Sequence, residues 1–595
     1  MKPVFRQGAL EAPSGLAGTA CASAGPGVRI ALLCLFAALW AWLSLPLWSP
    51  VHVEGFSASL SALGLHMAEG RIGHFDALQP FNKEYFGLTK FGAVAAVASL
   101  VGSGLDPDMA MRVVGWCSLA LLLIASGLLA RRWAGASWWL VFPGLLLMPG
   151  IVESAFFYSD NVLAAALGTC GLLLLHARRI RIGLPAAGLL LGLSVLTRTD
   201  AVLAALAAPV ILWIRFGWSR AGIAAVALTG VPALIAILVP LALFGVSILD
   251  VLAAGSAAVS LWNRSNGLAG QAVIGLYFLG LPGLALTAAG AFALVSERRF
   301  ALAALLCGIP LLFAAILYGA IWEVRQLLGL TPFFAALAAA GLKLLLAPGR
   351  GRAALAALAA AATALALAGP VYGLRKQDGP RTVTGRLYVI PLWLGWQDST
   401  RRDFAVLGAA AASAAPGTTR LLFTDGWNED RYLHLTLLKQ GYRISTDPLP
   451  QPCRAIAEPF VRGGTRLLHI RLHQSFVPYW RDIAGARLVR WGLPCAAQAG
   501  AVQPLLIATQ ARAEQLLGPQ RMGRRLGASA DDPRAGSVLG KLSYGPIVAV
   551  PLEGDWQAAL REGYGRDSAA AAAAGRLGSP EAGAKATRRR VGFPR

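Results

Sequence analysis

Long apolar runs recur along the first two thirds of this 595-residue chain. Between residues 30 and 370 most of them are about 18–25 residues long, enough for a helix to cross a bilayer. The whole chain is 56% hydrophobic and only 14% charged. A large soluble helical core is the alternative, but its helices would need polar faces, which these runs mostly lack. The sequence therefore predicts a polytopic all-α membrane bundle with about eleven transmembrane helices.

Basic side chains set the predicted orientation of these helices. A formal net charge of +23 is compatible with a nucleic-acid partner. We reject that interpretation for the N-terminal part, because its arginines stand at the ends of apolar runs, where they act as topology signals. With residue 1 in the cytoplasm, the basic clusters at 131–132, 178–181, 215–220, 298–299 and 343–352 all fall on the cytoplasmic side. This predicts a multi-pass protein of a bacterial inner membrane with a periplasmic C-terminal region.

Changes in composition predict the domain boundaries. Residues 1–28 are rich in Gly, Ala and Pro and are predicted to be a disordered cytoplasmic tail. The transmembrane domain is expected over 29–370, with 49–109 as its first outer loop. In 371–564, strand-like runs such as TRLLFT alternate with helical runs, which predicts a soluble α/β domain. Residues 565–595 have the composition of a disordered basic tail.

The seven cysteines do not form a disulfide framework. Only Cys453 and Cys495 lie in the polar C-terminal region, and they are able to pair if that region lies outside the cytoplasm. Cysteines in the apolar runs are expected to be packing residues.

Ionisable side chains concentrate in the first outer loop and at the ends of apolar runs that face the same side. Asp160 and Asp200 stand at such ends, where a charge at full membrane depth would cost roughly 2.5–3.5 kcal/mol. Acids and bases on one membrane face predict a site at the outer interface. The loop itself carries His52, Glu54, His66, His74, Asp76, Lys83, Glu84 and Lys90.

Two short helices are predicted inside this loop. Apolar residues recur at helical spacing from Phe56 to Met67, with serines between them, and Gly70 ends the pattern. A second pattern starts near Leu88 and ends at 102–104, which reads GSG. Both are expected to lie along the membrane surface.

Several short sequence pieces occur in an order that carries a family resemblance. They are Glu54 after the first apolar run, Ala68-Glu69-Gly70-Arg71, Phe81-Asn82-Lys83, Arg112, Tyr158-Ser159-Asp160-Asn161, GLSVLTR at 192–198, and Arg325 followed by Pro332. With this order the chain resembles the GT-C membrane glycosyltransferases over roughly residues 30–345. Among these enzymes, the chain resembles in particular the group that contains the protein O-mannosyltransferases and the lipid A aminoarabinose and galacturonic acid transferases. Departures are His52 and Glu54 where that family has an Asp-Glu pair, and Glu84 after Lys83 rather than before it.

The resemblance implies transfer of a sugar from a polyprenyl-phosphate donor to a glycan, lipid or protein acceptor at the outer face. It implies that Glu54 is the catalytic base, with Asp160 as its rival or partner. A growing negative charge on the departing phosphate calls for cations. The candidate cations are Lys83, Arg198, Arg264 and Arg325.

Asp76 and Glu84 are further substrate-binding candidates in the same loop. Together with the three loop histidines they would be the ligands of a divalent metal, which some relatives use. No motif such as His-x-x-x-His marks such a site, and solvated or capping histidines are the commoner case. No other cofactor is expected.

Two other functional classes stay open. A transporter or lipid flippase would place ionisable residues near mid-membrane, often within inverted repeats. A non-catalytic assembly subunit would not need acids and bases together in one loop. In the C-terminal region, Asp425 in FTDGWN either helps to bind an acceptor or belongs to an Asp-Gly turn.

Overall fold

The structure of this chain is a computed structural model. The described residues are 30, 34, 37, 55–70, 90–135, 141, 145, 148, 150–151, 159–243, 247–249, 251–252, 267–316, 324–345, 374–376, 379–381, 419–425, 427–445, 447, 449, 453, 457–471, 493–498, 504–518, 527–528 and 547–573. The chain divides into two compact units, one helical and one built mainly from the C-terminal region.

Helices make up the N-terminal unit. They are α1 (Gly55–Ala68), α2 (Phe91–Gly102), α3 (Pro107–Ala134), α4 (Asp160–Leu174), α5 (Ile180–Thr197), α6 (Val202–Ala205), α7 (Ala207–Phe216), α8 (Arg220–Leu243), α9 (Gly267–Ser296), α10 (Phe300–Ile316) and α11 (Thr331–Leu345). Two 3₁₀ helices, Thr199–Ala201 and Val324–Leu330, precede α6 and α11.

Five segments of the described residues are long and apolar enough to cross a membrane, and six if the kinked α9 counts as one span. They are α3, α5, Thr199–Phe216, α8 and Arg325–Leu344. This confirms a helical unit with several candidate spans. The predicted runs 137–152 and 353–370 lie mostly or wholly outside the described residues, so the number of about eleven stays a prediction.

Close packing holds these helices together. A Cβ at Gly188 of α5 would collide with the backbone carbonyl of Thr229 on α8. Small residues let helix backbones approach closely. In a membrane, where the hydrophobic effect does not drive helices together, this close contact is a main source of helix association.

Helix α1 covers the predicted range and ends at Ala68, just before Gly70, which has φ +72°. Its place along the membrane surface stays a prediction. The helix does not present its serines to solvent, because Ser57, Ser59 and Ser61 are all buried. The Ser61 hydroxyl donates to the Pro107 carbonyl at 3.1 Å. Hydrogen bonding makes such burial tolerable, so α1 packs inside the unit against α2 and α3.

The C-terminal unit contains a seven-stranded mixed sheet. Its strands are β3 (Thr419–Thr424), β4 (Arg443–Ile444), β5 (Ala457–Arg462), β6 (Thr465–Arg471), β7 (Leu505–Thr509), β8 (Gly527–Ala528) and β9 (Ile547–Pro551). They lie in the order β4-β5-β6-β3-β7-β9-β8. Strands β6, β3 and β7 are parallel, and their neighbours are antiparallel. A separate pair, β1 (Leu374–Lys376) and β2 (Gly379–Arg381), forms a two-stranded sheet.

Four helices accompany this sheet: α12 (Trp427–Lys439), α13 (Leu493–Gln498), α14 (Gln510–Leu517) and α15 (Trp556–Ala573). The strand-like and helical runs therefore do form a mixed α/β unit. The predicted disordered tail from residue 565 is wrong in its first part, because α15 continues to Ala573. The alanines there have the highest helix propensity of all residues and extend the helix.

Cys453 and Cys495 form a disulfide across 42 residues of sequence, and both lie in the apolar core of the C-terminal unit. We expect the double variant Cys453→Ser/Cys495→Ser to lower the free energy of unfolding of this unit by about 3–4 kcal/mol, since the cross-link restricts the unfolded chain. Thermal unfolding of the full chain, with and without reductant, measures this. An unchanged transition in the variant would contradict it.

Candidate functional site

Asp160 is the first residue of α4 and its side chain is only 1% exposed. Ser159 precedes it in an extended conformation, which starts the helix there. A carboxylate in the first turn interacts favourably with the helix dipole. Burial of a charge nevertheless requires partners of opposite sign.

Two cations from distant parts of the chain supply this compensation. Lys90 Nζ lies 2.5 Å and Arg198 Nη1 lies 2.8 Å from the same Asp160 oxygen, Oδ2. Lys90 comes this close because α2, which follows it, packs on the end of α5. A Cβ at Gly92 would collide with Thr197, so only glycine allows this approach.

Arg198 occupies the break after α5. It has extended backbone angles (φ −151°, ψ 123°) between α5 and the 3₁₀ turn that carries Asp200. Asp200 receives two hydrogen bonds from Arg198, from Nε and Nη2, both at 2.7 Å. Such a paired geometry fixes the plane of the guanidinium. Helices α4 and α5 are further joined by the Ser194 hydroxyl, which donates to the Ala164 carbonyl at 2.7 Å.

A narrow cavity opens beside this cluster, between α4 and α5. Arg198, Asp200 and Arg325 line its polar part. The apolar part is lined mainly by the small residues Ala164, Ala165, Gly168, Ala201, Ala204 and Gly329. The larger side chains of Leu172, Leu191 and Phe313 complete it.

Five charged side chains of the described residues form the cluster. Lys90, Arg198 and Arg325 carry three positive charges, and Asp160 and Asp200 carry two negative ones. For these five side chains the formal sum is +1, which attracts an anion. Asp160 holds two cations on one oxygen, and this stabilises its carboxylate form. That geometry favours a positioning role for Asp160 over the role of a base.

Burial lowers the pKa of Lys90 from 10.5 to about 8, although the Asp160 carboxylate opposes this shift. Protonated Lys90 therefore pairs with Asp160 below about pH 8, and the pair is lost as the pH rises above it. We expect the affinity for an anionic ligand to be constant below pH 8 and to fall above it. The Lys90→Arg variant should keep its affinity through pH 9.5, because arginine stays charged.

The pH dependence of ligand binding, measured for both forms of the protein, tests this expectation. A common pH profile in the wild type and in Lys90→Arg would contradict the role given to Lys90. The titration of Lys90 does not unfold the protein at the upper end of this pH range. A Lys with a lowered pKa in the folded state destabilises the fold below its unfolded pKa, and this penalty shrinks as the pH rises from 8 towards 10.5.

The structure brings together three of the eight predicted site residues, Asp160, Arg198 and Arg325. Glu54, Asp76, Lys83, Glu84 and Arg264 lie outside the described residues, and their roles stay predictions. Lys90 and Asp200 received no role from the sequence. The signal for Lys90 was its place as a lone cation directly before an entirely apolar helix.

Within the residues that the structure describes, no group of three His, Cys, Asp or Glu side chains is placed to hold a metal ion. Of the predicted metal ligands, only His66 belongs to that part of the chain, where it is buried in α1. The metal hypothesis therefore stays a prediction.

Asp425 has a structural explanation. It follows β3, is buried, and its Oδ2 accepts a hydrogen bond from Arg512 Nε at 2.5 Å. Because Arg512 belongs to α14, this ion pair fastens α14 to the end of β3.

The sequence matches no protein-family model and no curated protein. Solved structures do match. Two are of ArnT from Cupriavidus metallidurans, one in the apo state and one bound to undecaprenyl phosphate. Each ArnT structure is 14% identical in sequence, and each match covers 88% of this chain and 98% of the ArnT chain. The TM-score is 0.51 for the apo structure and 0.50 for the structure with undecaprenyl phosphate. The apo oligosaccharyltransferase of Archaeoglobus fulgidus is 12% identical in sequence. That match covers 90% of this chain and 77% of the oligosaccharyltransferase chain, with a TM-score of 0.45. The predicted resemblance is thus confirmed at the level of the fold: this chain has the fold of the GT-C glycosyltransferase ArnT.

Proposed function

We propose that this protein is a glycosyltransferase that moves a sugar from a polyprenyl-phosphate donor to an envelope glycan, lipid or protein. The observation that carries the proposal is the cationic cluster at the start of α4, which opens into a cavity between apolar helices. A lipid phosphate combines the two features that such a site accepts, an anionic head and an apolar chain. The undecaprenyl phosphate bound to ArnT, which shares the fold, is a molecule of this kind.

The cluster would hold the donor phosphate. Arg198 and Arg325 both line the cavity, and a guanidinium can grip a phosphate through two parallel hydrogen bonds. As the bond to the sugar breaks, negative charge grows on the departing phosphate, and fixed cations lower the energy of that state. Lys90 and Asp200 would keep Asp160 and Arg198 in position for this task.

The acceptor hydroxyl must lose a proton as it attacks the anomeric carbon. We assign this step to Glu54, on the strength of its place in the family pattern. Asp160 would act through Arg198 rather than as the base. Lys83 and Arg264 are proposed as further phosphate ligands, and Asp76 and Glu84 as contacts of the sugar or acceptor.

We place the site at the extracytoplasmic face of a bacterial inner membrane, and two observations support this choice of face. Asp160 and Arg198 lie at the end of α4 and α5 that is opposite to the arginine-rich turn between these helices, and arginine-rich ends face the cytoplasm. The Cys453–Cys495 disulfide favours an oxidising compartment for the C-terminal unit.

A transfer assay with purified protein tests the proposal. The protein is incubated with polyprenyl-phosphate sugars and an envelope extract, and release of free polyprenyl phosphate is followed together with sugar incorporation. We expect both, in equal amounts, and neither with Glu54→Gln. Transport of the lipid across vesicle membranes without cleavage of the sugar–phosphate bond would contradict this function and support a flippase.

A further inference from the structure

A second cluster of charges lies at the end of the helical unit opposite to the candidate site. Asp160 begins α4 and Arg198 follows α5, so the turn between these adjacent helices, residues 175–179, lies at the other end. Its own sequence contributes Arg178 and Arg179, both exposed.

Hydrogen bonds join this turn to two further helix ends. Trp133 Nε1, at the end of α3, donates to His176 Nε2 at 3.0 Å. Arg215, at the end of α7, donates to the carbonyl groups of Leu175 and Ala177. The arginines of these segments are therefore gathered in one area, which we call the basic rim. It consists of Arg131, Arg132, Arg178, Arg179, Arg181, Arg215 and Arg220.

The parts of the helices that lead to the basic rim contain no carboxylate. The sequence contains no Asp or Glu in 113–152, 161–199 or 201–246. At this end of the unit, Glu297 accepts from Lys343 at 3.2 Å, between the ends of α9 and α11. Like charges gathered in one area repel one another, and an anion that lies between them lowers this repulsion.

The chemistry of the basic rim fits phosphate at a membrane surface. All seven cations are arginines. Arg215 is buried and holds the turn, while the planar guanidinium groups of the others match phosphate better than the point charge of lysine. Beside them, Trp213 and Trp218 are 50% and 87% exposed, with ring centroids 5.8 Å apart. Exposed tryptophans at the end of an apolar helix are typical of the level of the lipid headgroups.

We propose that the basic rim binds the phosphate headgroups of anionic phospholipids in the cytoplasmic leaflet. A phospholipid, rather than a soluble polyanion, is the expected ligand because the arginines border the apolar helix surfaces and the exposed tryptophan pair. The site is separate from the cavity beside Asp160, and the proposal does not rest on the proposed transferase function.

Native mass spectrometry of the full-length protein tests this, with phosphatidylglycerol and phosphatidylcholine of identical acyl chains. We expect the wild type to bind phosphatidylglycerol about tenfold more tightly or better. The variant Arg178→Gln/Arg179→Gln should lose most of this preference. The matched control is Arg561→Gln/Arg566→Gln, which removes two exposed arginines from α15 of the C-terminal unit and should keep it.

Equal binding of the two lipids by the wild type would overturn the proposal, as would an equal loss in the control. Displacement of phosphatidylglycerol by inorganic polyphosphate at similar concentrations would show instead that the rim takes soluble anions. Arg178→Lys/Arg179→Lys keeps the charge but not the guanidinium, and should fall between the wild type and the Gln variant. Both positions are exposed, so these variants should fold normally.

Discussion

Replacing Asp160 with Ala should abolish most of the sugar transfer and weaken the fold. The change leaves Lys90 and Arg198 as adjacent cations without the carboxylate that joins them. Breaking a buried ion pair in this way costs about 3–5 kcal/mol of folding free energy. Because Arg198 then loses its contact with Asp160, we expect transfer to fall by about 10²–10³-fold. Initial transfer rates and thermal unfolding of the same preparations measure both effects.

A second variant separates the two effects. Lys90→Met/Asp160→Asn removes one positive and one negative charge together and leaves Arg198 paired with Asp200. Compared with Asp160→Ala, loss of both charges should restore much of the folding free energy. Transfer should stay low, because Arg198 no longer has the Asp160 carboxylate to hold it. If this double variant transferred sugar at the wild-type rate, the positioning role of Asp160 would be wrong.

Replacing Arg325 with Gln should mainly weaken donor binding. Arg325 lines the cavity and contributes a positive charge to it. A hydrogen bond to a charged group contributes about 1.5–3 kcal/mol, so the KM for the lipid donor should rise by about 10–100-fold. Arg325→Lys should show a smaller rise, because it keeps the charge and loses the planar fork.

The control for Arg325 is Lys343→Gln at the opposite end of the same candidate span. It removes one positive charge far from the cavity and should leave the KM unchanged. An equal rise in KM for both variants would mean that overall charge, rather than the cavity, attracts the donor.

The order of sequence pieces was enough to bring Asp160, Arg198 and Arg325 into one site. Each stands at the end of an apolar run, and the predicted topology puts all three ends on one face. Lys90 could not be assigned in the same way. Its place beside Asp160 depends on the close contact of Gly92 with Thr197, a contact between helices far apart in sequence.

Two features of the fold are hard to infer from the local sequence. Helix α1 has the spacing of a surface helix, and its serines give no sign that partners in α2 and α3 will bury them. The alanine run after residue 565 has the composition of a low-complexity tail, yet alanine is also the strongest helix former.

The most direct test of the account uses a polyprenyl phosphate that carries a photoreactive group on its first isoprene unit. After irradiation with the full-length protein, the labelled peptides are mapped by mass spectrometry. The account predicts labels on the cavity walls, at 164–172, 191–204 and 325–329, and their loss when unlabelled lipid phosphate competes. Labels confined to the exposed surface of α8, unaffected by competition, would contradict it.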